Sequence, residues 1–199
     1  MSGRRLPVLS SVWLAGLVLA LLVGPAGSTD SAAPGEAAPP PPKPAVRREL
    51  DRDQAQLQVA LARLPDDSGV LVLREPERVI LRIPARLLFE FDSADLKRNP
   101  AATAALTASV QLLKKRRRLR AQVVAYTDSI GGASANQSRS DQRAQAISDA
   151  LSAAGIAANR LQQRGAGATD AVASNQTPQG RMENRRIEIE FRPEPATAP

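Results

Sequence analysis

The chain has 199 residues and a formal net charge of +7, with 27 Lys and Arg against 20 Asp and Glu, and it contains neither cysteine nor histidine. Without cysteine a disulfide scaffold, a thiol nucleophile, a zinc knuckle and a cysteine-linked lipid are excluded; without histidine the usual metal ligand and general base are missing. The basic balance suits an anionic partner. No carboxylate cluster resembles a metal or catalytic centre, so no catalytic residue, metal or cofactor is assigned, and the chain does not read as an enzyme.

The start is basic ("MSGRR"), and "VWLAGLVLALLV" (12–23) is an apolar run of twelve residues. Ala26 and Ser28 follow as the −3 and −1 residues of a cleavage site, which completes a secretory signal peptide over 1–28. A membrane span needs roughly 20 apolar residues. The alternative is an uncleaved inner-membrane anchor running from Leu6 to Val23. An exported protein seldom meets nucleic acid, and with so few aromatics there is no stacking platform. Cell wall and membrane are the better anionic partners.

Residues 29–46, with "APPPPKPA" at their centre, are a Pro/Ala-rich linker, extended and semi-rigid. The segment 47–65 reads as a helix, with Leu50, Leu57, Leu61 and Leu64 on one stripe. It is either a short coiled segment, able to recruit an envelope partner or a second copy, or a helix lying on the domain. The compact domain spans 69–193, and 194–199 is a tail.

Within the domain, "GVLVL" and "RVILRIP" form a hairpin about Glu75 and Pro76, and "LLFEF" is read as a strand with Phe89 and Phe91 on one face. Asn99 caps a helix opening at Pro100, running to about Arg118 and burying Leu106, Val110 and Leu113. Its last turn is "KKRRR" (114–118), cations that complement a helix dipole or form a binding patch. "LRAQVVAYTD" is the next strand, and a helix follows from about Ser134 to Gly155. A short strand and loop come next, then a brief helix capped at Thr177 and Pro178. The closing strand "RRIEIEF" turns Ile187, Ile189 and Phe191 inward and Arg186, Glu188 and Glu190 outward. The alternation predicts an α/β two-layer sandwich, a βαβαβ core with a preceding hairpin strand.

The helix from Ser134 is unusual. Its inward line is Asn136, Ser140, Arg143, Ile147, Leu151 and Ala154, and the first three are polar where apolar side chains belong. Asp128 lies just past the preceding strand, fifteen residues before Arg143. Strand ends and helix starts meet where open α/β sheets hold ligands. The two charges form either an internal salt bridge, a poor stabiliser, or the two poles of a site for a zwitterion, Asp128 accepting from an ammonium and Arg143 gripping a carboxylate.

"TDSIGGASANQSRSDQRAQAI" resembles the signature of the OmpA-like C-terminal, peptidoglycan-binding domain family. "RIPARLLFEFDSADLK" is similar to that family's opening strand and loop, and "NQTPQGRMENRRIEIEF" to its closing loop, helix and strand. The resemblance covers about 78–191 and implies noncatalytic binding of peptidoglycan through the diaminopimelate residue of the stem peptide. It assigns the aspartate and arginine to Asp128 and Arg143, with supporting contacts from Thr127, Asn136, Asp92 and Arg185. It places the protein in the periplasm of a Gram-negative envelope, at the cell wall and the outer membrane, supporting envelope integrity. The alternative is an inner-membrane-tethered anchor linking an envelope machine, stator-like or secretion-type, to the wall. Ala125-Tyr126 and Arg139 depart from the family's Gly-His and leucine.

Overall fold

A computed structural model describes residues 42–90 and 92–194. The signal segment, the linker as far as 41, Phe91 and the tail from 195 lie outside the described residues. Among the described residues no helix is long and apolar enough to cross a membrane.

The first helix, α1 (Pro44–Leu61), starts at a proline in its first turn, where the missing N–H is not needed. Leu50 and Leu57 on its stripe are fully buried in the domain core, and Leu64 packs beside them. The helix therefore lies on the domain, and its leucines are taken up by the chain's own core. β1 (Leu71–Glu75) and β2 (Arg78–Pro84) form the expected antiparallel hairpin.

"LLFEF" is not a strand. Ala85–Leu88 forms one helical turn, α2, and Phe89 makes only an isolated bridge to Leu96. Ala85, Leu87, Leu88 and Phe89 are all buried. A strand points alternate residues to opposite faces and cannot bury three consecutive side chains in a one-sided core, whereas a helical turn can.

α3 (Pro100–Lys115) is capped by Asn99, whose Oδ1 accepts from the amides of Ala101 and Ala102 at 3.0 and 3.1 Å. It buries Ala105, Ala108, Leu112 and Leu113, leaving Leu106 and Val110 half-buried, so the stripe is rotated from the expected one. Alanines at 102, 105 and 108 share the buried face with Leu112 and Leu113, and α3 packs chiefly against α1.

β3 (Leu119–Ala125), α4 (Ala133–Ala153) and β4 (Leu161–Gly165) form a unit in which β3 and β4 run parallel. α5 (Pro178–Asn184) leads into β5 (Arg186–Pro193), which inserts between β2 and β3. The sheet order is β1-β2-β5-β3-β4. Val79, Leu81, Ile83, Val123, Ile187, Ile189 and Phe191 share one core with α1, α3 and α4, which makes a two-layer α/β sandwich.

The other sheet face departs from the expected solvated one. Arg186, Glu188 and Glu190 point to it, yet each is at most 4% exposed. Arg82 and Arg186 both reach Glu188 at 2.9 Å, while Arg78 and Arg192 reach Glu190 at 2.7 and 3.0 Å. The Arg186 guanidinium also stacks 3.6 Å from the Tyr126 ring centre. Arginine stems thus roof over the carboxylates, which a pattern of alternating polarity does not reveal.

Within the main core Asp53 is 2% exposed, and its Oδ2 has no hydrogen-bond partner. Burial raises its pKa, and Arg116, 3.3 Å away, opposes this only in part. Because the folded-state pKa is raised, the cost of the charge is fully present at neutral pH and disappears as pH falls below the unfolded value. Asp53→Asn is expected to raise stability at pH 7, because the amide has no charge to desolvate and Arg116 keeps Glu49 as a partner at 2.8 Å. That gain should vanish near pH 3, as thermal melts at the two pH values would show.

Candidate functional site

β3 delivers its last residues to the junction with α4. The Tyr126 amide donates to Arg186 O at 2.9 Å and that of Thr127 to Gly167 O at 2.7 Å, fixing the strand end. The chain then turns at Asp128, whose Oδ1 accepts from the Ile130 amide at 2.9 Å. Gly131 takes φ +96°, a conformation that other residues adopt only with strain. Asn136 closes the loop by donating from Nδ2 to Asp128 O and Ile130 O, at 3.3 and 3.1 Å.

The polar half of the α4 line therefore divides its work. Asn136 holds the loop. Ser140 Oγ accepts from the Gly167 amide at 2.9 Å and anchors the helix to the segment after β4. Arg143 is the member aimed at the junction. It is 6% exposed, its Nε donates to Ser93 O at 2.8 Å, and its guanidinium carbon lies 5.2 Å from the Phe89 ring centre. Burial, then the neighbouring Arg139, lowers the Arg143 pKa, with Asp92 and Asp128 opposing. Arginine starts so high that it keeps its proton at any physiological pH.

Asp128 and Arg143 make no ion pair with each other. Asp128 Oδ2 pairs instead with Arg185 from the α5–β5 junction. Asp92, in the loop between α2 and α3, adopts φ +56° and pairs with Arg139 Nη2 at 2.6 Å. The Thr127 hydroxyl is buried with no hydrogen-bond partner among the described residues. An orphan hydroxyl of this kind costs free energy until something bonds to it.

All six residues singled out in the sequence, Asp128, Arg143, Asn136, Thr127, Asp92 and Arg185, line one cavity of about 470 Å³. Sequence reasoning missed Arg86, Glu90, Lys97 and Arg181, which share the wall. Arg139 was visible as a departure from the family pattern, and its place opposite Asp92 explains what the arginine does. Cations outnumber carboxylates on the wall by six to three. A larger hollow of about 980 Å³ beside α3 has Arg98 as its single charged group and lacks such convergence. Among the described residues no group of acidic side chains is placed to hold a metal.

The fold and the cavity define a two-layer α/β domain with a charged pocket where a strand end meets a helix start. Residues 88–185 match the OmpA family. The chain is 37% identical over 126 residues to the Escherichia coli protein named "Probable lipoprotein YiaD", covering 63% of this chain and 57% of that one. It thus spans little more than half of that relative. The cell wall anchor of the type VI secretion system from Pseudomonas aeruginosa is 28% identical with a TM-score of 0.58, covering 74% of this chain and 99% of that one. A MotB-like protein from Desulfovibrio vulgaris has a TM-score of 0.67 at 21% identity, over 78% of this chain and 98% of the other, and shares the fold.

Proposed function

We propose that the domain binds peptidoglycan noncovalently through the zwitterionic end of the stem peptide's diaminopimelate, and so holds the protein to the cell wall. The observation that carries this is the pair Asp128 and Arg143: opposite charges on one cavity wall, not spent on each other. Asp128 receives the ammonium, displacing Arg185, whose side chain is 43% exposed and free to swing into water. Arg143 takes the carboxylate, Thr127 Oγ1, without a partner among the described residues, bonds to the ligand, and Asn136 keeps the loop in shape. Asp92 sets the rim through Arg139.

The family match over residues 88–185 supports this reading, as does the likeness to the secretion-system cell wall anchor. The site is a noncatalytic grip. Release of muropeptides from sacculi incubated with the protein would contradict that. The protein resides in the periplasm, at the wall and the outer membrane. Unlike a relative named as a lipoprotein, this sequence has no cysteine to carry a lipid. A second reading, an inner-membrane-tethered anchor joining an envelope machine to the wall, is favoured by the secretion-system likeness. Determining the mature N-terminal residue separates the two.

Purified sacculi should pellet the protein, and free diaminopimelate should release it. Retention that ignores the competitor would refute the ligand. Thr127→Val should leave thermal stability unchanged or slightly higher, because the buried hydroxyl has no hydrogen-bond partner among the described residues. It should weaken sacculus binding by about 1 kcal/mol, the net worth of one hydrogen bond. Unchanged binding would remove Thr127 from the site.

A further inference from the structure

The basic run at the end of α3 has no carboxylate partner to account for most of it. Arg116 is spent on Glu49 and Asp53, at 2.8 and 3.3 Å. Complementing the helix dipole, the ordinary task of such a run, falls to a residue from elsewhere. Arg160 Nη2 donates to Leu113 O and Arg116 O, both at 2.8 Å, and so satisfies the final carbonyls of α3. Lys115, Arg117 and Arg118 are left exposed, with no ion pair among the described residues.

Their position gives these cations a direction. The run immediately precedes β3, whose opposite end leads to Asp128. Seven strand residues separate the two ends, about 20 Å at roughly 3.3 Å per residue. At the same end, Lys43 lines a cavity with Pro42, the first described residue, and with Glu77 and Arg120, the latter paired with Glu194. The chain therefore enters the domain on the cationic side and carries its charged pocket on the far side.

We propose that this cationic end docks on an anionic phospholipid surface. Exposed, unpaired cations at the edge of a rigid domain suit dense anionic headgroups. The pocket, a strand length away, would then face outward from the bilayer. This surface does not depend on the pocket's ligand.

The test is flotation of the full chain with phosphatidylcholine vesicles, with and without phosphatidylglycerol. The apolar segment at 12–23 and the basic residues Arg4 and Arg5 before it are the same in wild type and variants, so the difference between them isolates the patch. The wild type should show that preference, and added salt should reduce it. Lys115→Glu/Arg117→Glu/Arg118→Glu should weaken binding to anionic vesicles about a hundredfold, at about 1 kcal/mol per cation lost. Binding to neutral vesicles and to sacculi should match the wild type, which also shows that the variant folds. The corresponding triple Gln variant should reproduce the loss if charge reversal perturbs the fold. Absence of any anionic preference, its survival in both triple variants, or loss of sacculus binding in place of lipid binding would each overturn the proposal.

Discussion

Arg143→Ala should abolish co-sedimentation with sacculi while the domain still melts cooperatively. The expected loss is about 2–5 kcal/mol, the range for truncating one partner of a desolvated charge pair. The free protein should suffer less, because Arg143 contributes one described hydrogen bond, to Ser93 O, and a contact with Phe89. Arg143→Lys should recover only part of the binding, since an ammonium cannot grip a carboxylate with two parallel bonds. Pelleting at the wild-type level by the alanine variant would remove the arginine from the site.

Gly165→Ala is the second large effect, and it reaches the site through the backbone. A Cβ at position 165 would lie 2.4 Å from both the Asp141 amide nitrogen and Ser140 Oγ. These are atoms of α4, which approaches β4 closely there because the residue has no side chain. The same contact is held by the Gly165 amide donating to Asp141 Oδ1 at 2.9 Å. The helix would have to move off the strand, at about 3 kcal/mol, the upper part of the overpacking range. For a domain of this size that corresponds to roughly 6–12 °C in Tm. α4 also carries Asn136 and Arg143, so wall binding should weaken along with stability. A variant that melts and pelleted like the wild type would show that the approach is not as tight as described.

The site was legible because it breaks a pattern. Polar residues at 136, 140 and 143 interrupt an otherwise apolar helical line, and Asp128 falls at the strand end just before it. What each polar residue does was less legible. Ser140 shares the polar line with Asn136 and Arg143, yet its hydroxyl is bound to Gly167, a partner brought near only when β4 pairs with β3. The pairing of Asp128 with Arg185 arises in the same way, from β5 inserting beside β3. No local spacing encodes it.

The fold shows the same division. Caps at Asn99 and Thr177 and the hairpin at 75–78 follow from local chemistry, and the structure has them. The misread elements are those whose burial is decided by neighbours. Leu87, Leu88 and Phe89 are buried in succession, so the expected strand becomes a helical turn. α3 buries its alanines where Leu106 and Val110 were expected. Glu188 and Glu190 alternate as solvent-facing residues should, and four arginines cover them.

The central claim is that Asp128 and Arg143 hold the two poles of one amino-acid end. Calorimetric titration of the wild type and Asp128→Asn with a diaminopimelate stem peptide, and with the same peptide lacking its free-end ammonium, tests it most directly. The prediction is that the wild type binds the intact peptide far better than the analogue, and that Asp128→Asn removes most of this difference while barely changing affinity for the analogue. An Asp128→Asn protein that still prefers the intact peptide by the wild-type margin would contradict the account.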